Sequence, residues 1–428
     1  MKTLTTYLVG FIVLMSSTAV AQGRGSGTGP EFSISSGLKP FAGDRRLRPY
    51  GAPSKLEGAF ARDSYAPGER ASLGVWGRPP RLTVQIFRTG PETERTRGND
   101  EMRGIPVSRE TEYAGARRLT IRIGDWASGM YFARLRAGAQ VSFAPFVLRP
   151  HRLGEQRIAV VMPTNTWQAY NFRDDDGDGA ADTWYADRRR HKVRVARPHL
   201  NHGVPLRFRV YDLPFLHWLA WSKRELDYLA QTDIERTSGT ALRKRYDLIV
   251  FPGHYEYVTS REYSAITRFR DLGGNLMFLS ANNFFWKVER RRNTLHQIAM
   301  WRDIGRPEAA LVGVQYVTYG SELRGPYVVR NAHAAPWLFR GTGLLNGSRF
   351  GTFGIEIDRR TAASPRNTVV LAEIQNGQGA GKAAQMAYYR TRRGAKVFAA
   401  GAFTLAGSAT RSYGAKLLAN LWAHMARG

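Results

Sequence analysis

Three short apolar runs, at 157–162, 246–250 and 275–280, constrain this chain more than any other feature, because each is followed at once by a segment unlike an ordinary loop. Short apolar runs of this kind, β-branched at 249–250, suit strands in the covered interior of a parallel sheet. The segments after them are Pro163-Thr164-Asn165-Thr166-Trp167-Gln168-Ala169-Tyr170-Asn171, Phe251-Pro252-Gly253-His254-Tyr255-Glu256-Tyr257 and Ala281-Asn282-Asn283-Phe284-Phe285-Trp286. They are dense in Tyr, Asn, Trp, His and Glu where connecting loops carry Gly, Ser and Lys. In extended chain, residues i and i+2 point the same way, so His254 and Glu256 can act together. Open α/β sheets bind ligands outside the carboxyl ends of their strands, where these segments fall.

The chain has 428 residues and 43% hydrophobic content, room for two or three domains with a sizeable core. Residues 1–21 read as a signal peptide: Lys2, the apolar run Tyr7–Met15, then Ala19-Val20-Ala21 as a small-residue cleavage site. The expected location is therefore secreted or periplasmic after cleavage near Ala21. No run is long and apolar enough to predict a membrane span. Cysteine is absent, which excludes disulfides, thiolate metal ligands and a cysteine nucleophile. The formal charge of +28 raises nucleic acid or an acidic polymer as partners. The arginines are scattered, however, with only local clusters such as Arg188-Arg189-Arg190 and Arg290-Arg291-Arg292, and no nucleic-acid motif is present, so a nucleic-acid partner is not expected.

Residues 22–52, rich in Gly, Ser, Arg and Pro, read as a flexible leader. Over 53–150, short alternating runs separated by turns predict an all-β, immunoglobulin-like sandwich. From 155 to 428, strand-like runs alternate with helical ones at 216–229, 260–272 and 411–425, which predicts a doubly wound α/β domain with a β-rich insertion near 312–357.

Asp174-Asp175-Asp176-Gly177-Asp178-Gly179-Ala180-Ala181-Asp182 places Asp174, Asp176, Asp178 and Asp182 at positions 1, 3, 5 and 9 of a calcium loop, with Gly179 at the sharp turn. Position 12 is Tyr185 where an EF-hand has Glu, so the loop is an incomplete EF-hand. The expectation is structural Ca²⁺.

Taken in order, the 163–171, 253–257 and 275–286 segments resemble the large (beta) subunit of N,N-dimethylformamidase. The resemblance covers about 157 to the C-terminus. It implies a class I glutamine-amidotransferase-like α/β fold without the usual cysteine, and a mononuclear Fe³⁺ held by two tyrosines and a glutamate beside a histidine, an asparagine and a second glutamate. By motif, Tyr170 and Glu256 match the ligands, His254 the neighbouring acid/base and Asn282 the polar group. Tyr131 is the best match by position for the second tyrosine, and Glu356 stands for the further carboxylate. Phenolate and carboxylate oxygens are hard donors suited to a ferric ion.

The implied function is an exported, metal-dependent hydrolase of a C–N bond, amide or formamide-like, acting on a small amide substrate through Lewis-acid activation. A small partner subunit or self-association goes with the family. The alternatives from the residues alone are a non-catalytic exported protein that binds an acidic polymer, and a calcium-stabilised envelope or adhesion module.

Overall fold

Alternation in the sequence becomes alternation in burial along the first strands. The computed structural model describes residues 53–185, 191–375 and 383–427, so the expected signal peptide, the leader and Arg188–Arg190 lie outside the described residues. Arg70–Trp76 and Arg118–Arg122 bury every second side chain, as strands with one covered face must. With Glu57–Phe60 they form an antiparallel three-stranded sheet. A second sheet, built on Arg81–Arg88, Gly129–Ala137 and Gln140–Leu148, faces it. Leu73, Val75 and Ile121 from one sheet meet Val84, Leu135 and Phe146 from the other in a shared apolar core.

The predicted buried strands form the middle of a nine-stranded sheet. Asp227–Ala230, Ile158–Met162, Leu248–Phe251, Asn275–Phe278 and Lys396–Ala399 run parallel in that order. Their residues alternate between two cores: Val160, Val250, Met277 and Phe398 face one, while Val161, Ile249, Leu276 and Val397 face the other. A sheet covered on both sides needs continuous apolar strands, and that is what these runs are.

The doubly wound, glutamine-amidotransferase-like α/β architecture is not what the chain forms. The sheet continues past Lys396–Ala399 through Ala384–Arg390, Val369–Ile374, Gln315–Val329 and Arg349–Arg359, all antiparallel to their neighbours. Strand makes up 35% of the structure and helix 21%, and the helices are too few and short to wind twice around a parallel sheet. The physical reason lies in the connections. Antiparallel neighbours close through hairpins and need no crossover helix. After Leu248–Phe251 and Asn275–Phe278 the chain instead makes strands, Tyr257–Thr259 and Trp286–Arg291, which join Thr294–Met300 and Lys192–Arg194 in a separate four-stranded sheet.

Helix Ser260–Asp271 starts where Thr259 and Glu262 form a reciprocal capping box and stops before Gly273 at φ +93°. The predicted helix at 216–229 is shorter than expected. It spans Leu213–Trp221, and its last third becomes the edge strand Asp227–Ala230. No helix among the described residues is long and apolar enough to cross a membrane.

Candidate active site

The polar segments after the parallel strands converge. At the end of Leu248–Phe251, a Cβ on Gly253 would fall 2.6 Å from Asp212 Oδ1 and 3.0 Å from Pro163 Cγ, so the chain passes through a gap only glycine fits. Beyond it the Glu256 amide donates to Thr166 Oγ1 at 3.1 Å, which ties this segment to the helix Thr164–Ala169. Tyr170 caps the C-terminus of that helix, and its hydroxyl donates to Glu256 Oε2 at 2.9 Å. A second tyrosine donates to the same oxygen: Tyr185 OH lies 3.2 Å from Glu256 Oε2. The two phenol rings stack with centroids 4.5 Å apart. Tyr185 also meets the hydroxyl of Tyr257, which accepts from Trp184 Nε1 at 3.1 Å.

His254 Nε2 stands 3.3 Å from Glu256 Oε2 and 3.1 Å from Glu356 Oε2. Both distances are those of ion pairs, and among the described residues His254 Nε2 and Glu356 Oε2 have no hydrogen-bond partner outside this pairing. Glu356 comes from the strand Arg349–Arg359, where Gly354 (φ +132°) and Ile355 (φ +80°) break the ladder register and re-aim the chain. A β-branched residue at such a φ is strained, and strain of this kind gathers at functional sites. Two residues on, Asp358 Oδ1 accepts the Asn282 amide at 2.8 Å. Asn282 itself sits at φ +55° with its side-chain Oδ1 buried and unpartnered.

Burial sets the electrostatics. It pushes the Tyr170 and Tyr185 hydroxyls far above the ordinary phenol value, and the Glu256 charge adds to the shift. Burial also raises Glu256, against the pull of His254. Burial disfavours the His254 cation, but Glu356 and Glu256 more than offset this, and its pKa is raised on balance. As they stand, the phenols are neutral donors and the imidazole favours its proton.

Of the residues singled out from sequence, Tyr170, His254, Glu256 and Glu356 come together, while the backbone amide of Asn282 is tied to Asp358 on the strand that carries Glu356. Tyr131 does not. It is buried in the core between the two facing sheets, its hydroxyl donates to Ala127 O at 2.7 Å, and its ring stacks on Trp126 and Phe146. Burial pushes its hydroxyl up to about 12. The second tyrosine of the cluster is Tyr185, which sequence reading treated only as the misfit twelfth position of the acidic loop. The signal was present: Trp184-Tyr185 is the first aromatic pair after Tyr170, and the loop between them has turn residues that can fold the chain back.

In that loop Asp174, Asp176 and Asp182 each offer an oxygen within 4.8 Å of the others, while Asp178 Oδ1 accepts the Ala180 amide at 2.9 Å. Asp174 accepts the amides of Gly177 and Gly179 at 2.7 and 2.8 Å, so the carboxylates also hold the loop's own backbone.

The donor set fits a hard cation. Two phenol oxygens and a carboxylate meet in one place, with the buried His254 nitrogen and the Glu356 carboxylate beside them. A cleft lined by Asn171, Phe172, Leu200, Val204 and Leu206 reaches Tyr170.

No curated protein matches the chain. Among solved structures, it is similar to a Paenibacillus sp. cycloisomaltooligosaccharide glucanotransferase complexed with cycloisomaltoheptaose, at 10% identity, over 42% of this chain and 27% of that one. The chain thus spans about a quarter of that protein's length, and the TM-score of 0.15 is too low to bear on fold or chemistry. The family described as "N,N-dimethylformamidase beta subunit-like, C-terminal" matches residues 106–415, a span that holds every residue of the cluster, and the chain belongs to that family.

Proposed function

We propose that the chain is a hydrolase of the C–N bond of small amides, and that Tyr170, Tyr185 and Glu256 hold a ferric ion. The observation that carries this reading is the meeting of both tyrosine hydroxyls on one buried carboxylate, with His254 Nε2 3.3 Å from the same carboxylate. Family membership supports amide hydrolysis as the reaction. Bound there, the ion would supply Lewis-acid activation of the amide carbonyl or of water, and would favour the phenolate forms that burial alone disfavours.

The chain's own groups do the rest. Hydrolysis adds water to the carbonyl carbon, breaks the C–N bond and moves a proton to the departing nitrogen. His254 is placed to take and return that proton, since its Nε2 faces the site and Glu356 and Glu256 favour its charged form. Glu356, 3.1 Å from the same Nε2, stabilises the imidazolium.

Three further readings go with this one. The acidic loop binds Ca²⁺ structurally, the chain is exported, and a small partner subunit or a second copy completes the enzyme, as the "beta subunit-like" family description suggests. Metal analysis of the purified protein tests the central point. About one iron per chain, lost in both Tyr170→Phe and Glu256→Ala, together with amine release from simple formamides, is the expected result. Iron retained in both variants would overturn it.

A further inference from the structure

The segment that carries both site tyrosines is held shut by one arginine that touches neither hydroxyl. After the helix Thr164–Ala169 the chain runs outward past Tyr170, turns through the acidic loop and returns to Tyr185. The two arms meet through only a few direct bonds, among them Asp182 N to Arg173 O at 2.7 Å and Thr183 Oγ1 to Ala169 O at 2.7 Å. Arg197, just beyond the strand Lys192–Arg194, lies buried against them with 4% of its surface exposed.

Its guanidinium reaches every part of the turn. Nη2 donates to Gln168 O at 3.3 Å and Asn171 O at 2.9 Å on the outgoing arm, and to Asp182 O at 3.3 Å on the returning arm. Nη1 donates to Asp175 Oδ2 at 2.6 Å near the tip, and Nε to Gln168 Oε1 at 3.3 Å. The other oxygen of Asp175 accepts Arg173 Nε at 3.0 Å, and Arg173 forks onto the buried Glu57 of the strand Glu57–Phe60. Two guanidinium and two carboxylate groups thus balance in a buried network that anchors the turn to the facing sheets.

Burying four charges is a poor way to gain stability, because desolvation offsets most of the attraction. A planar fork with five donors is, however, well suited to fixing several carbonyls at once. We propose that Arg197 is a positioning residue that clips the outgoing and returning arms together and so sets Tyr170 and Tyr185 side by side on Glu256. This rests on the proposed reading of those tyrosines as ligands.

The test uses the full chain freed of metal, as wild type, Arg197→Leu, Arg197→Lys (charge kept, fork lost) and Asp175→Asn, which loosens one leg of the clip if the leucine variant fails to fold. Hydrogen exchange reads the clip directly. The expected result is exchange in 168–185 at least about tenfold faster in the Arg197 variants, with Leu248–Phe251 unchanged. Ferric titration followed by tyrosinate-to-iron absorption reads the consequence: affinity should fall about 10- to 100-fold, the usual effect of losing an outer partner of a metal ligand. Wild-type exchange rates in 168–185 in both Arg197 variants would overturn the proposal. A wild-type protein that shows no tyrosinate absorption would instead overturn the iron reading, while hydrogen exchange would still decide the clip.

Discussion

Tyr131 and Tyr185 are both packed among aromatic rings, and the difference between their surroundings separates a structural region from a chemical one. Between the facing sheets, Tyr131 has one hydroxyl, one carbonyl partner and a ring packed in an apolar core. At the ends of the parallel strands, Tyr185 shares a carboxylate with Tyr170, and His254 Nε2 is held between the acidic oxygens of Glu256 and Glu356. Folded chains seldom bury several titratable groups against one another, so such a cluster marks a candidate functional site. The first region is stabilised by burial. The second gathers buried titratable groups around one carboxylate and depends on its surroundings for shape.

The strongest way to break this contrast is to cut the link between the regions. Glu57→Ala leaves Arg173 buried without its fork and is expected to cost about 3–5 kcal/mol in urea unfolding, as loss of one partner of a buried pair does. A cost below about 1 kcal/mol, that of an exposed pair such as Arg81–Glu112, would show that the facing sheets do not brace the site. Next in size, His254→Gln should lower amide turnover by about 10²- to 10⁴-fold with little change in the unfolding midpoint. Turnover within a few-fold of wild type would remove His254 from proton transfer.

The tyrosines themselves provide a sharper pair. Tyr131→Phe should cost about 1 kcal/mol of stability by orphaning Ala127 O and leave iron uptake intact. Tyr185→Phe should do the reverse, abolishing iron uptake at nearly unchanged stability. Equal effects of the two on iron would erase the distinction drawn between them.

The smallest expected effect is on pH dependence. Burial pushes Asp358 up to about 7 from its ordinary 3.8. The folded state then holds a proton that the unfolded chain releases at lower pH. Stability from this group is therefore fully present below the ordinary value and declines as pH rises through about 7. Denaturant midpoints at about pH 5 and about pH 8 should differ less in Asp358→Asn than in wild type. An unchanged difference would show that Asp358 is ionised throughout.

Much of the site was legible because it rests on local pattern. The spacing of His254 and Glu256 after a β-branched strand put them on one side, and there they are. Tyr185 was hidden for a physical reason: its partner Tyr170 lies across a loop, and no sequence period reports how a loop folds back. Tyr131 matched by position, but position along a strand does not say which face a residue takes once two sheets meet. The doubly wound expectation failed similarly. Alternating strand and helix signals are read locally, whereas parallel or antiparallel pairing depends on which strands become neighbours.

The sequence by itself determined the apolar strands, the capping box that starts Ser260–Asp271 and the polar chemistry at the strand ends. Those follow from side-chain size, hydrogen-bonding capacity and backbone freedom at single positions. Tertiary structure decided the mixed order of the nine-stranded sheet, the choice of Tyr185 as the second tyrosine, and the buried fork of Arg197 across both arms of its turn. These depend on contacts between residues distant in the chain, whose geometry is fixed only when the whole core packs.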